Sequence, residues 1–170
     1  PCYTHSSPLY IAESKRVIIG SNDGAAYIFD AKSGALVRTL KTGEPNEQEL
    51  SVGFSRFDIK ESFAYDQKRD LLVFGNRAGA LFFVQAEDGA HRHTFQAEFG
   101  FYSTPLVVGN TVVASSLDKS VYCISLDTFD VVWKWDAGAR IFSSPALIDG
   151  LIYVGANSGR IVALNPLSGK

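Results

Sequence analysis

Residues 142–169 read FSSPALIDGLIYVGANSGRIVALNPLSG: a Ser-Ser-Pro segment, an apolar stretch ending in glycine, a glycine turn and a second apolar stretch. Residues 6–34, SSPLYIAESKRVIIGSNDGAAYIFDAKSG, repeat that order of features, and two further copies lie between them. The positions that end the first apolar stretch are Gly20, Gly75, Ser115 and Gly155. They are 55, 40 and 40 residues apart, so the chain consists of four repeats with a period of about 40 residues.

Each repeat predicts four short β-strands. In the first repeat, Val17–Gly20, Ala26–Asp30 and Leu36–Leu40 are rich in β-branched, aliphatic and aromatic residues and are separated by turn residues. A fourth strand precedes them at the Ser-Pro segment. No window shows a sustained 3.6-residue period, so we expect almost no helix. The sequence therefore predicts an all-β fold, a β-propeller of four-stranded antiparallel blades, with a β-sandwich as the alternative.

The predicted blades form a single domain over 1–170 and cover residues 3–42, 58–97, 100–137 and 140–170, with an insertion at 43–58. The fourth blade is incomplete, because its repeat stops before the outer strand. The sequence also contains no methionine. We therefore expect this chain to be part of a larger propeller.

The repeat resembles the PQQ-like repeat of the quinoprotein alcohol dehydrogenase-like β-propellers. That family's blade has Ser-Ser-Pro, an aliphatic strand ending in glycine, a glycine turn, Tyr-Ala-Leu-Asp-Ala, Thr-Gly and a tryptophan. Residues 142–169 and 6–34 follow this pattern. The resemblance implies that the tryptophan docks each blade onto its neighbour, a role that falls to Trp133 here. Arg38 and His93 occupy the equivalent position in the first two repeats.

Charge and composition exclude several classes of function. Sixteen basic and eighteen acidic residues give a net charge of −2 without a basic stripe, so nucleic acid is not an expected partner. The longest uncharged stretch, 99–117, contains Pro105 and several polar residues, so no membrane span is expected. Cys2 and Cys123 are interpreted as small buried hydrophobes, which favours a reducing, cytoplasmic compartment. This segment contains no signal peptide, and the compartment is otherwise undetermined.

No catalytic or metal-binding residue is assigned. His91 and His93 share one face of a predicted strand, but no third ligand at matching spacing completes a metal site. The resemblance implies a quinone-dependent enzyme as an alternative, in which PQQ lies over a vicinal cysteine disulfide beside a calcium ion. Cys2 and Cys123 are not adjacent. We therefore expect no cofactor, and PQQ with calcium only under this alternative.

Two sets of residues are candidates for binding. One equivalent position on the four innermost strands carries a hydroxyl, at Ser7, Ser62, Thr104 and Ser144, which could line the central channel or simply be small where strands converge. The insertion combines acidic, aromatic and basic residues typical of interfaces, Glu47, Glu49, Phe54, Arg56 and Phe57. It could also be a tolerated excursion of the chain.

These observations favour a non-catalytic interaction or scaffold propeller, appended to or part of a larger protein. Its expected partner is another protein or the remaining blades of the same propeller. A quinone-binding, quinoprotein-like subunit is the alternative.

Overall fold

A computed structural model describes residues 3–170, so Cys2 lies outside the described residues. Within that range the chain forms four antiparallel sheets, three of four strands and one of three, each built from consecutive strands. This confirms the predicted all-β fold and the incomplete fourth blade. Among the described residues, no helix has the length and apolar character needed to cross a membrane.

The first two blades each contain four strands in sequence order. Blade one comprises β1 (Leu9–Ile11), β2 (Arg16–Gly20), β3 (Ala25–Asp30) and β4 (Leu36–Lys41). The insertion follows and contains α1 (Glu47–Ser51). Blade two comprises β5 (Ala64–Asp66), β6 (Leu71–Gly75), β7 (Ala80–Gln85) and β8 (His91–Gln96).

Blade three repeats this plan, and blade four stops after three strands. Blade three comprises β9 (Leu106–Val108), β10 (Thr111–Ser115), β11 (Ser120–Ser125) and β12 (Val131–Asp136). Blade four comprises β13 (Ala146–Ile148), β14 (Leu151–Gly155) and β15 (Ile161–Leu164).

The hydrophobic core is divided among the gaps between successive blades. Ile18 and Phe74 belong to a cluster between blades one and two, and Phe83 and Ile124 to a cluster between blades two and three. A third cluster joins blades three and four and contains Ile152. The sheets thus pack face to face in chain order. Burying one aliphatic or aromatic side chain in such a gap stabilises the folded protein by about 1.5–3 kcal/mol. The stability of each blade therefore depends on its neighbours.

Strand direction sorts the loops onto two faces. The turn after the first strand of a blade and the turn after its third strand lie at one end, because consecutive strands are antiparallel. The turns between second and third strands lie at the other end, together with the connections from each blade to the next. We call this second end the insertion face, because it carries the insertion.

The insertion is confined to the start of one connection. The N–H groups of Thr42 and Ala97 donate equivalent hydrogen bonds of 2.8 Å to the glycine turns of their blades. The buried residues Ile59 and Phe101 donate equivalent bonds to the second-strand turns. From Thr42 to Ile59 is 17 positions, whereas from Ala97 to Phe101 is four. The extra 13 positions therefore lie before Ile59, and the chain then resumes the regular path.

Candidate interaction surface

The first half of the insertion folds on itself. Asn46 caps α1: its side chain accepts the Glu49 N–H at 2.8 Å, while the Glu49 carboxylate accepts the Asn46 N–H at 3.0 Å. The same carboxylate accepts the Arg56 N–H at 3.1 Å, and these backbone hydrogen bonds lower the pKa of Glu49. Glu49 therefore ties the two ends of the insertion together, whereas Glu47 is exposed in the first turn of α1. Sequence patterning did not predict α1, because five residues are too few to show a helical period.

The two phenylalanines of the insertion have different surroundings. Phe57 packs on the backbone of Gly24 and Gly43, and its carbonyl accepts the Thr42 hydroxyl at 3.1 Å. The Arg56 guanidinium lies 4.9 Å from the Phe57 ring centre. Phe54 is 43% exposed. Phe57 therefore holds the insertion against blade one, whereas the Phe54 ring is partly exposed to solvent.

Replacing Phe57 with alanine is expected to lower the free energy of unfolding by about 2 kcal/mol, because its contacts with two glycines are lost. This loss is smaller than that for a fully buried phenylalanine. Phe54→Ala is the matched control, and its cost is expected to stay within about 0.5 kcal/mol. Denaturant titration of both variants measures the difference. Equal losses would show that both rings pack on the propeller.

The inner hydroxyl positions form a row that joins three blades. The Ser62 N–H donates to the Thr104 hydroxyl at 3.2 Å, and the Thr104 N–H donates to the Ser144 hydroxyl at 3.0 Å. Ser7 is exposed, and its carbonyl accepts the neighbouring Ser6 hydroxyl. Among residues 3–170, no hydrogen bond links Ser7 to the row. The Thr104 and Ser144 hydroxyls therefore serve blade-to-blade contact.

Sequence reasoning missed a row of aromatic and basic side chains across the insertion face. Lys60, Tyr102 and Phe142 each directly follow a buried residue in the connection that leads into the next blade. The Lys60 ammonium lies 4.9 Å from the Phe54 ring centre and 6.0 Å from that of Tyr102. The Tyr102 and Phe142 rings meet edge-on, with centres 6.0 Å apart. The signal was present, because Tyr102 and Phe142 both stand three residues before the proline of their repeat.

A buried carboxylate fixes Lys60 in this row. Asp58 is fully buried; one carboxylate oxygen accepts the Ser55 N–H, and the other lies 3.4 Å from the Lys60 ammonium. Burial raises the pKa of Asp58, and the hydrogen bond from Ser55 and the charge of Lys60 oppose that rise. Removing Lys60 would leave the carboxylate without its ion-pair partner, so the pair constrains this connection.

Glu61 stands where the other blades have a serine. The Ser103 and Ser143 hydroxyls donate to carbonyls of their own second strands at 3.0 and 2.9 Å. One carboxyl oxygen of Glu61 is buried without a hydrogen-bond partner, and burial raises the pKa of Glu61 to about 8. The side chain is therefore mostly protonated at neutral pH and adds little negative charge to the insertion face.

A groove of about 340 Å³ lies beside the aromatic row. It is lined by Arg77, Phe99, Gly100, Tyr102, Leu117, Arg140 and Phe142. The Leu117 N–H donates to the Gly100 carbonyl at 2.9 Å, so backbone bonds between a turn and a connection build its floor. None of the lining residues is acidic, and within the described range neither arginine belongs to an ion pair.

The blade-docking position carries three different side chains. Trp133 is 8% exposed, lies over Gly169 of blade four and donates its indole N–H to the Pro166 carbonyl at 2.7 Å. His93 stacks on Phe129 of blade three, with ring centres 5.1 Å apart and planes 5° apart. In both cases the side chain contacts the turn after the third strand of the next blade.

Arg38 reaches the equivalent turn of blade two, where its stem lies against Gly89. Three of the four turns have glycine at the position of positive φ, at 71°, 73° and 69°, and the third has Phe129 at 63°. A bulky residue is strained in that conformation. The stacking with His93 offsets that strain. Turns of the same backbone conformation therefore contact an arginine, a histidine and a tryptophan in the three blade pairs.

The described residues do not fit the quinone site that the repeat resemblance implies. Cys123 is fully buried between blades three and four, and burial raises its thiol pKa. No three His, Cys, Asp or Glu side chains cluster as metal ligands within residues 3–170. Cys123 therefore has no adjacent cysteine with which to form the vicinal disulfide.

Comparison with known proteins identifies the family. The family model described as outer membrane protein assembly factor BamB, a PQQ-type model, matches residues 22–170. This chain belongs to the BamB-like propeller family. The match confirms the PQQ-like repeat that the sequence resembles. No curated protein matches the sequence.

Solved structures show the same fold for this BamB-like propeller. The crystal structure of BamB from Moraxella catarrhalis matches with a TM-score of 0.77 and 16% identity, over 97% of this chain and 47% of that chain. The computationally designed protein Ika4 matches with a TM-score of 0.78 and 13% identity, over 96% of this chain and 91% of that one. Sqt1 from Saccharomyces cerevisiae matches with a TM-score of 0.78 and 16% identity, over 94% and 45%. This chain thus spans about half the length of BamB.

Proposed function

We propose that this BamB-like propeller is a non-catalytic scaffold that binds a protein partner through its insertion face. The observation that carries this proposal is the continuous row of Phe54, Lys60, Tyr102 and Phe142, which crosses from the insertion to blade four. The coarser role, a protein-interaction scaffold, agrees with the BamB-like fold.

The composition and support of this surface favour protein binding. Phe54, Phe99 and Phe142 are 43%, 53% and 45% exposed, and contiguous exposed aromatic surface marks interaction sites. Aromatic and arginine side chains also dominate the binding energy of protein interfaces. The loops that carry them are tied to the blades by backbone hydrogen bonds, so little conformational entropy is lost on binding.

We also propose that the exposed side of blade four packs against further blades of the same propeller. Ile161 on β15 and Leu167 in the next turn are 78% and 87% exposed. Val121, the residue of blade three equivalent to Ile161, packs in the gap between blades three and four. A blade packed on β15 would bury this side and leave the insertion face free.

Site-specific photo-crosslinking tests the proposed interaction face. A benzoylphenylalanine placed at Phe54 or Phe142, in the full protein in its native cells, is expected to capture one defined protein partner. The matched control is the same group at Lys32, an exposed position in a turn on the opposite face. Capture that is equally strong from Lys32, or none from Phe54 and Phe142, would contradict the proposal.

We also propose that the propeller works without a quinone. Adding PQQ, Ca²⁺ or both is expected to leave the thermal midpoint of unfolding unchanged, because a ligand stabilises a protein only when it binds the native state. Differential scanning calorimetry measures the midpoint, with Ca²⁺ alone and PQQ alone as controls. A midpoint that rises with PQQ concentration only when Ca²⁺ is present would support the quinoprotein alternative.

A further inference from the structure

We propose that the groove between Arg77 and Arg140 binds an acidic, extended segment of the partner, with an apolar side chain of that segment placed on the Tyr102 and Phe142 rings. This inference rests on the proposed interaction function and adds the chemistry of the partner. The groove and the aromatic row adjoin, because Tyr102 and Phe142 belong to both.

The charge of the groove selects carboxylates. Arg77 and Arg140 are exposed, and no ion pair in residues 3–170 includes either of them. Two carboxylates lie close enough to interact with Arg77. Asp58 is fully buried against Lys60, and the carboxylate of Glu49 accepts two backbone N–H groups. Two guanidinium groups are therefore open to a ligand, and their planar geometry suits bidentate pairing with carboxylates.

The surface between the two arginines is apolar. Phe99 is 53% exposed and Leu117 is partly exposed, and both line the groove with Tyr102 and Phe142. An apolar side chain between two carboxylates of a bound segment would remove these rings from water. The volume of about 340 Å³ accommodates a few side chains rather than a folded domain.

Two backbone amides beside the groove already have hydrogen-bond partners. The Arg77 N–H donates to the Asp58 carbonyl at 3.0 Å, and the Leu117 N–H donates to Gly100. These two turn amides are therefore not free to pair with an added strand. Recognition therefore depends on side-chain charge and apolar contact, which a peptide of alternating acidic and aromatic residues provides.

The charges around the groove favour a peptide over a nucleic acid. A neighbouring cleft shares Phe99, Leu117 and Arg140 with the groove. That cleft is also lined by three carboxylates and two lysines, from Glu98, Asp118, Asp136, Lys119 and Lys134. A polyphosphate chain leaving the groove would approach these carboxylates, and the whole chain is net negative. A short acidic segment that ends within the groove would not approach these carboxylates.

The test uses fluorescence anisotropy with a fluorescein-labelled synthetic peptide in which glutamate alternates with phenylalanine. The matched peptide has glutamine in place of every glutamate. R77E/R140E is expected to weaken binding of the acidic peptide at least tenfold. K32E/K68E changes the net charge equally but alters exposed lysines on the opposite face, so its binding is expected to stay within about twofold of the unmodified protein. Circular dichroism and thermal melting confirm that both variants fold.

Three results would overturn the proposal. The first is equal binding of the acidic and glutamine peptides, and the second is equal weakening by R77E/R140E and K32E/K68E. The third is a single-stranded oligonucleotide that binds more tightly than the peptide and loses its binding in R77E/R140E, which would assign the groove to nucleic acid.

Photo-crosslinking separates this inference from the proposed function. If the acidic peptide does not bind while crosslinks from Phe54 persist in R77E/R140E, the face binds a partner but not through an acidic segment. If the crosslinks are also absent from the unmodified protein, the proposed function itself fails.

Discussion

Replacing Trp133 with alanine is expected to lower the free energy of unfolding by about 3–5 kcal/mol. The indole is 8% exposed, it covers Gly169 of the next blade, and its N–H donates to the Pro166 carbonyl. The substitution removes this contact between two blades and leaves a cavity that rigid sheets cannot close. Equilibrium denaturation with urea measures the loss, together with the slope of the transition.

Arg38→Ala is the matched control for Trp133, because both residues occupy the docking position of their blades. Arg38 is exposed where it lies against Gly89, so the expected loss is below about 1 kcal/mol. A loss at Arg38 equal to that at Trp133 would show that the tryptophan contributes no special contact between blades three and four.

Replacing Gly75 with alanine is expected to cost about 1–3 kcal/mol, although alanine is compatible with its backbone conformation. An added Cβ would overlap the Phe101 Cβ and lie 2.9 Å from its Cγ. Phe101 is 1% exposed and held by its N–H bond to the Asn76 carbonyl, so neither side can move away cheaply. The midpoint of thermal unfolding is expected to fall accordingly.

Gly155→Ala is the control, because Gly155 occupies the same position in blade four. Its nearest neighbour for an added Cβ is the Ser143 hydroxyl at 3.6 Å, an ordinary contact, so the expected change is within about 0.5 kcal/mol. If Gly75→Ala were as well tolerated as Gly155→Ala, Gly75 and Phe101 would be packed less tightly than their contact indicates.

The fold was predictable because its information is repeated. One pattern recurs four times, about 40 residues apart, and its apolar segments lack the 3.6-residue period of a helix. A propeller is the arrangement in which each of the resulting sheets is buried against a similar sheet. The incomplete fourth blade could be predicted in the same way. The short helix α1 could not, since its capping by Asn46 and Glu49 is local chemistry without periodicity.

The candidate interaction surface was only partly predictable. Composition singled out the insertion, but it could not tell Phe54 from Phe57, because which ring packs on Gly24 and Gly43 depends on how the chain returns to blade one. The repeat placed Ser62, Thr104 and Ser144 at equivalent positions. Their bonding from Ser62 through Thr104 to Ser144 follows from the spacing between blades.

The sequence by itself determined the repeat, the all-β architecture and the family, because strand periodicity and turn chemistry are local and recur in each blade. Only the tertiary structure decided which side chains share a surface. Lys60, Tyr102 and Phe142 are about 40 residues apart in the chain, yet they meet because closely packed blades bring equivalent positions to neighbouring points on one face. Arg77 and Arg140 line one groove for the same reason: a turn of blade two and the connection into blade four end on the same side of the propeller.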